Sequence, residues 1–232
     1  MVHNGRTGPG LVSGLTASRW HRSTPTNSAP QMASNQTSSG SKRTVQRTAY
    51  IYGDILKIDT TGASEVTAKQ DKLTIKGVEA SKKLAEHDLA RMEKYKSMIT
   101  KVGKAKKIDP AVIAAIISRE TRAGALLKNG WEPKGYGFGL MQVDQRYHSL
   151  TGTWDSEQHV TQATEILIGF IKKIKVKFPD WTQEQCFKGG IAAYNKGPER
   201  VTSYENIDAK TPGLDYSNDV VARAQWFRSK GY

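Results

Sequence analysis

The feature that most constrains the fold is a helix-length segment of apolar residues that leaves no polar face. Residues 111–117 are all alanine, valine or isoleucine, so a helix here must be buried on every side. Asp109 is a favourable N-cap, and Pro110 fits the first helical position. Gly124 is a suitable terminator beyond the other end. Burying this helix requires other elements around it, and a chain of 232 residues is long enough to supply them.

The segments around this helix predict further helices. Apolar residues recur at helical spacing over 78–102, which predicts one long helix or two consecutive helices that end near Lys107. Residues 129–140 are rich in glycine and predict a loop or a short hairpin. The remaining predicted helices are 160–178 after a capping box at Asp155 and Gln158, one after a capping box at Thr182 and Gln185, and 217–228. The sequence therefore indicates a mostly α single domain with one small loop or β insertion.

The chain is strongly basic. Six basic residues precede the first acid, Asp54, and account for +6 of the net charge of +13, which leaves +7 on the remainder. A basic body favours an anionic partner such as bacterial wall polymers, nucleic acid or a membrane surface, and a face that only maintains solubility stays an alternative. No apolar run reaches the ~18 residues of a membrane span, so none is expected.

Residues 1–48 differ in composition from the rest of the chain. They are rich in serine, threonine, asparagine, glycine and arginine, and they have few large apolar residues to offset the entropy cost of ordering. Two interpretations stay open, a disordered basic tail and an organelle transit segment, which has a similar composition. A secretory signal is not expected because the start has no apolar core. The expected location is therefore intracellular, or extracellular by an unconventional route.

Cysteine and histidine usage limits the chemistry. Cys186 is the single cysteine, which excludes an intramolecular disulfide and a cysteine-based metal site. Its helical surroundings predict a small buried side chain. The five histidines are scattered, and none forms the i, i+4 pair of zinc hydrolases. We expect no metal and no cofactor, and we expect a monomer because nothing in the sequence indicates oligomerisation.

Glu120 is the first candidate for catalysis. It follows the apolar segment at the C-terminal end of the helix, where poor solvation and the helix dipole should both raise its pKa. A carboxyl group that stays protonated near neutral pH can donate a proton to a departing sugar oxygen. The alternative is a surface glutamate that pairs with Arg119 or Arg122.

The glycine-rich segment supplies a second candidate. Glycines at 135, 137 and 139 alternate with aromatic residues, a pattern that would let a flat polysaccharide approach the backbone. No helix begins after them, which excludes a phosphate-binding loop. Asp144 follows shortly and could be the second carboxylate of an inverting glycosidase, although an N-cap or turn aspartate is the alternative.

Four separate segments of the chain, in the order in which they occur, resemble segments of goose-type lysozymes. Residues 58–64 also match the N-terminal region of that family. The resemblance covers residues 47–232, which predicts a catalytic domain over 49–232, and in part it extends to bacterial lytic transglycosylases. The four segments are Ile117–Glu120, Gly137–Asp144, Gly189–Asn195 and Asp219–Ala224.

The resemblance implies a lysozyme-like, two-lobed, mostly α fold with a cleft. It also implies hydrolysis, with inversion, of the β-1,4 bond between N-acetylmuramic acid and N-acetylglucosamine in peptidoglycan, with oligomers of N-acetylglucosamine as further ligands. Glu120 would be the acid, and Asp144 would position or activate the water. The residues that match substrate-contacting positions are Phe138, Gln142, His148, Tyr194 and Asn195.

The chain departs from the family at two places. Bird members have four cysteines where this chain has Ile51, Glu65, Lys76 and Lys107. They also have an aspartate, proposed to help hold the water, where this chain has Pro133. Proline cannot take that role, so Glu132 becomes a candidate auxiliary acid and Asp144 carries more weight.

Two other functions stay open at this point. A lytic transglycosylase would use Glu120 alone and release 1,6-anhydro products. A non-catalytic binder would use the positive charge and the aromatic residues to hold bacterial wall or nucleic acid without turnover. The chain has no recognisable nucleic-acid module, and Asp144 favours hydrolysis.

Overall fold

The predicted apolar helix is the centre of the fold. In a computed structural model, which describes residues 50–232, α4 spans Pro110–Thr121 and buries all of its residues from Pro110 to Ser118. Asp109 caps it by accepting a hydrogen bond from the N–H of Ala111. The helix ends at Thr121, and its C-cap Arg122 adopts left-handed backbone angles, so this residue terminates the helix in place of the predicted Gly124.

Six further α-helices and one hairpin surround α4 in the described range. The 78–102 pattern resolves as two consecutive helices, α2 and α3, joined by a 3-10 turn at Glu93–Tyr95. The N-terminal boundary predicted at residue 48, and the segment before it, lie outside the described residues. The elements are α1 at Glu65–Ala68, α2 at Val78–Met92, α3 at Lys96–Lys106, β1 at Gly137–Phe138, β2 at Val143–Asp144, α5 at Glu157–Lys177, α6 at Gln183–Lys196 and α7 at Tyr216–Ser229.

The capping predictions have mixed outcomes. The box at Thr182 and Gln185 is confirmed, because each residue bonds the backbone N–H of the other. The box predicted at Asp155 is wrong by one position, since Ser156 caps α5 by accepting the N–H of His159. The Asp155 carboxylate instead accepts a hydrogen bond from the hydroxyl of Thr153.

Helix packing produces one main core. α4 packs against α2, α3 and α7, and α5 packs against α3 and α6. The core includes the predicted buried Cys186 on α6. Within residues 50–232, no helix is both long and apolar enough to cross a membrane. The mostly α architecture with one small β insertion is as the sequence predicts.

Candidate active site

Glu120 lies in the last turn of α4, at the edge of the core. Its carboxylate oxygen Oε1 accepts a hydrogen bond of 2.7 Å from the hydroxyl of Tyr216, the first residue of α7. The Glu120 side chain is half-buried, whereas Tyr216 is buried. The end of a buried helix therefore presents a carboxyl group whose orientation is set by a second helix.

The two arginines beside Glu120 are directed to carboxylates on other elements. Arg119 forms ion pairs with Asp215 and Asp219, at 3.0 and 2.6 Å. Burial opposes the charge of this guanidinium group, but the two carboxylates outweigh it and raise the pKa of Arg119. Arg122 binds Asp71 and Asp88 in the same way. Arg119 and Arg122, which the sequence analysis considered as partners of Glu120, therefore pair with aspartates.

A short antiparallel hairpin carries the second candidate acid. Gly137 pairs with Asp144 and Phe138 pairs with Val143. Helices hold the turn between the strands, since the hydroxyl of Thr121 on α4 bonds the carbonyl of Leu140 at 2.9 Å. The same turn is held at Met141, whose N–H donates to Nε2 of His159 on α5 and whose carbonyl accepts from the hydroxyl of Tyr194 on α6. The Thr121 bond ties the hairpin to the turn of α4 that carries Glu120.

Asp144 is buried on β2 and is held by Arg146. Its Oδ1 accepts hydrogen bonds from the backbone N–H and from Nε of Arg146, and its Oδ2 accepts one of 2.7 Å from Nη2. The carboxylate raises the pKa of Arg146. The guanidinium group also lies over the ring of Tyr136, 4.1 Å from its centroid, and near that of Tyr147. Asp144 therefore makes the backbone contact expected of a turn aspartate, and its carboxylate is also held in a fixed orientation.

The three glycines of the hairpin region make room for protein side chains. An added Cβ at Gly137 would lie 2.3 Å from Oε1 of Gln142, and at Gly139 it would lie 2.4 Å from the ring of His159. At Gly135 it would meet the carboxylate of Glu132 at 2.7 Å. This role differs from the predicted one, in which the glycines admit a polysaccharide.

The predicted substrate residues lie on or beside this hairpin. Phe138 packs its ring against Trp131 and His159. Gln142 is buried and donates from its amide to the carbonyl of Gly139, so it also stabilises the turn. The backbone N–H of His148 bonds the carbonyl of Asp144.

Tyr194 and Asn195 approach from α6. Both are buried, and Tyr194 reaches the turn through its bond to Met141. The side-chain oxygen of Asn195 has no hydrogen-bond partner among residues 50–232. An unsatisfied buried amide oxygen is an available acceptor for a ligand N–H or O–H group.

Glu132 lies on the loop that leads to the hairpin. Its side chain is half-buried, and the adjacent Pro133 is exposed. In the described part of the chain, no group of three or more histidine, cysteine, aspartate or glutamate side chains is arranged to hold a metal ion.

Comparison with known proteins places the chain in a family. The family model described as "LysG: Lysozyme g" matches residues 52–231. The chain belongs to the lysozyme g family. It is 86% identical over 184 residues to "Lysozyme g" of Cyprinus carpio, a match that covers 79% of this chain and 100% of the carp protein.

More distant relatives match over the same length. "Lysozyme g" of Gallus gallus is 59% identical over 181 residues, covering 78% of this chain and 86% of its own. "Lysozyme g-like protein 2" of Homo sapiens is 40% identical over 181 residues, covering 78% of this chain and 82% of its own. The resemblance to goose-type lysozymes is thereby confirmed.

Sequence analysis of this lysozyme g family member missed the residues that position Glu120 and the hairpin. Thr121, His159 and Tyr216 make the bonds that fix the hairpin turn and Glu120. Thr121 follows Glu120 directly and could have been considered for that reason. Nothing local marks Tyr216, because it reaches Glu120 across 96 positions of sequence.

Proposed function

We propose that this chain is a glycoside hydrolase that cleaves the β-1,4 bond between N-acetylmuramic acid and N-acetylglucosamine in bacterial peptidoglycan. Membership of the lysozyme g family supports the reaction class. The observation that carries the mechanism is the Glu120 carboxyl group, which Tyr216 holds at the end of α4 and which Thr121 connects to the hairpin of Asp144. The chain is proposed to act as a monomer.

Glu120 is proposed as the general acid. It would donate its proton to the departing sugar oxygen, and the carboxylate would gain negative charge as the bond breaks. The Tyr216 hydroxyl already points to Oε1, so this donor would stabilise the charge without reorganisation. A hydrogen-bond donor of this kind contributes more in the transition state than in the ground state.

Asp144 is proposed to position the attacking water. Inverting glycosidases place the second carboxylate roughly 6.5–9.5 Å from the acid, which leaves room for a water molecule. Arg146 fixes the orientation of the Asp144 carboxylate through both of its oxygens. Glu132 is the alternative for this role, because it lies on the loop that leads into the same hairpin.

The sugar contacts divide into two kinds. Asn195 is proposed to accept a hydrogen bond from the substrate, since its buried oxygen has no partner among residues 50–232. Phe138, His148 and Tyr194 are proposed to line the same site. Gln142 is proposed to act mainly by shaping the turn, because its amide is already bonded to Gly139.

Replacing Glu120 by glutamine tests this proposal. Glu120→Gln keeps the size of the side chain but removes its proton, so wall lysis should fall by about 10²-fold or more, with wall binding retained. Glu86→Gln, at an exposed position on α2, is the matched control and should lyse walls normally. Normal lysis by Glu120→Gln would reject Glu120 as the acid.

Two further measurements separate the remaining alternatives. Mass analysis of the released muropeptides should show hydrolysed reducing ends, and a majority of 1,6-anhydro ends would identify a transglycosylase instead. Asp144→Asn and Glu132→Gln should be compared in the same assay. Loss of activity only in the Glu132 variant would move the water-positioning role from Asp144 to Glu132.

A further inference from the structure

Helices α3 and α5 pack side by side and run in the same direction. Lys101 of α3 pairs with Glu157 at 3.0 Å, and Lys106 pairs with Glu165 at 2.5 Å. The order of the two pairs places the C-terminal end of α3 beside the middle of α5. The second half of α5 therefore continues beyond the end of α3.

The charged residues along α3 and along the second half of α5 are all basic. Residues 94–107 contain six lysines and no acid, and residues 166–178 contain four lysines and no acid. Glu157 and Glu165 neutralise two of these lysines. The remaining eight lysines of these two segments have no acid within the segments themselves.

Some of these lysines have structural roles. Lys175 donates to the carbonyls of Pro179 and Trp181, and Lys177 donates to those of Pro198 and Val201. Such bonds stabilise the C-terminal end of α5 and the loops beyond it. These lysines are therefore already explained by the fold.

At the C-terminal end of α3 and in the second half of α5, four lysines have no comparable role, and together we name them the lysine face. All are exposed, and within residues 50–232 none of their ammonium groups has a hydrogen bond or an ion pair. Lys173 has only a distant contact with the ring of Phe170, at 5.6 Å. The lysine face consists of Lys172 and Lys173, which lie about two turns of α5 beyond the Glu165 ion pair, and of Lys104 and Lys107 at the end of α3 that this pair contacts.

The lysine face is separate from the candidate active site. His159, near the start of α5, bonds the hairpin turn at Met141. Lys172 is thirteen residues further along the same helix, which at 1.5 Å per residue is about 20 Å from that contact. A ligand bound there would leave the candidate active site accessible.

Because the lysine face is made only of lysines, the ligand that fits it best is a flexible polyanion. Ammonium groups are point charges that bind phosphate without demanding a fixed geometry. Val176 is the one large apolar side chain exposed on α5, so this surface has no apolar strip to insert into a membrane. It also presents no exposed aromatic residues on which nucleic-acid bases could stack.

We propose that the lysine face binds the phosphodiester polymers attached to bacterial walls and so holds the protein on the wall while the distant cleft cuts sugar chains. The choice of the wall as target rests on the proposed function. The binding itself does not require turnover. The site is therefore a docking surface, not a second catalytic centre.

The proposal is tested by reversing two charges on the lysine face and, in a control variant, two charges elsewhere on the surface. The full-length protein would be compared with Lys172→Glu/Lys173→Glu and with the control Lys57→Glu/Lys76→Glu, which changes net charge equally at exposed positions elsewhere. Binding would be measured by co-sedimentation with wall sacculi, either intact or stripped of phosphodiester polymers by hydrofluoric acid, over a series of salt concentrations. Cleavage of a soluble N-acetylglucosamine oligomer would be measured in parallel.

The Lys172/Lys173 variant should bind intact sacculi about tenfold or more weakly. The slope of its log binding constant against log salt concentration should be smaller by roughly two, because roughly two fewer counterions are released. Its binding to stripped sacculi and its cleavage of the soluble oligomer should be unchanged. The control should bind intact sacculi within about twofold of the original protein, as expected for charges outside the contact. If no protein cleaves the oligomer, the proposed function fails, but the binding comparison still decides this inference.

Three outcomes would overturn the proposal. Equal losses in both variants would mean that net charge alone drives binding. An equal loss on stripped sacculi would mean that the lysine face recognises peptidoglycan itself. Stronger binding to vesicles of anionic phospholipid than to intact sacculi, with the same dependence on Lys172 and Lys173, would assign the face to a membrane.

Discussion

At the scale of single residues, a hydroxyl group that is remote in sequence contributes to the orientation of Glu120. Tyr216→Phe removes that donor and keeps the ring, which packs under the guanidinium group of Arg119. A hydrogen bond to a charged group contributes about 1.5–3 kcal/mol, so kcat should fall about tenfold or more, with little change in KM. Steady-state kinetics on a soluble oligomer measures this split.

Tyr232→Phe is the matched control for Tyr216→Phe. The Tyr232 hydroxyl is also buried, but it has no hydrogen-bond partner in the described part of the chain. Its removal should leave kcat unchanged. If the two variants behave alike, the bond to Glu120 has no catalytic importance.

Arg146 belongs to the same scale, because it determines how the buried Asp144 carboxylate is held. Arg146→Gln should lower kcat about tenfold and destabilise the fold by about 1–3 kcal/mol, since it removes charged hydrogen bonds from a buried acceptor. Arg146→Lys should recover part of the kcat loss. A double-mutant cycle with Asp144→Asn measures the coupling, and additive effects would show that Arg146 acts independently of Asp144.

At the scale of elements, the catalytic geometry depends on how the hairpin is attached to the helices. Thr121→Val removes the hydroxyl that bonds Leu140 and accepts the N–H of Gly124. The free energy of unfolding should fall by about 1–3 kcal/mol, because the buried carbonyl of Leu140 loses a hydrogen-bond donor. Activity should fall as well, since this bond joins the elements of Glu120 and Asp144. Urea unfolding and wall lysis measure the two effects.

The same substitution at Thr164 is a close control. Thr164 is fully buried on α5, and its hydroxyl has no partner within residues 50–232. Thr164→Val should therefore be neutral or stabilising, because it replaces an unsatisfied polar group by a methyl group. Equal destabilisation at both positions would mean that replacing any buried hydroxyl by a methyl group costs stability here, whether or not that hydroxyl is hydrogen-bonded.

The limits of prediction from sequence also lie at the scale of elements. Local signals suffice for the start of α4 at Asp109 and the capping box at Thr182, because both involve residues close in sequence. The start of α5 is misjudged because Asp155 and Ser156 are both good caps, and only the backbone angles select Ser156. The cap of α4 at Arg122 has no local signal, because its left-handed conformation is usually taken by glycine.

Long-range caps and pairs are beyond local reasoning. The first N–H groups of α7 are capped by Asp208, which accepts from Ser217 and Asn218 although it precedes the helix by several residues. The bond from Tyr216 to Glu120 is of the same kind. The family resemblance proposes Glu120 as the acid, but the contact of this residue with Tyr216 emerges only from the packing of α4 against α7.

At the scale of the whole molecule, a chain of buried ion pairs joins α2, α4 and α7. Asp88 on α2 binds Arg122 and, at 3.8 Å, Arg223, and Asp219 on α7 binds both Arg119 and Arg223. Burial opposes ionisation, but Arg223 and Arg119 lower the pKa of Asp219 to about 2. The network contains equal numbers of acids and arginines, four of each, so as a whole it carries no net charge. Its members are Asp71, Asp88, Asp215, Asp219, Arg91, Arg119, Arg122 and Arg223.

The outer end of this network gives the protein a specific acid sensitivity. Hydrogen bonds from Arg122, opposed by partial burial, lower the pKa of Asp71 from 3.8 to about 2. A carboxylate whose folded pKa is below its unfolded value stabilises the fold above the unfolded pKa, and this contribution disappears as pH falls through the folded value. Asp71→Asn should therefore destabilise the protein by about 1–2 kcal/mol near neutral pH, after allowance for partial exposure.

The difference in unfolding free energy between the original protein and Asp71→Asn should then shrink as pH falls from 3.8 to about 2. Urea unfolding at a series of pH values measures it. Glu65→Gln is the control, because that exposed glutamate pairs only with the exposed Lys69 and its loss should change little at any pH. A difference that stays constant over this pH range would show that Asp71 stabilises the fold by packing and neutral hydrogen bonding, and not through its charge on Arg122.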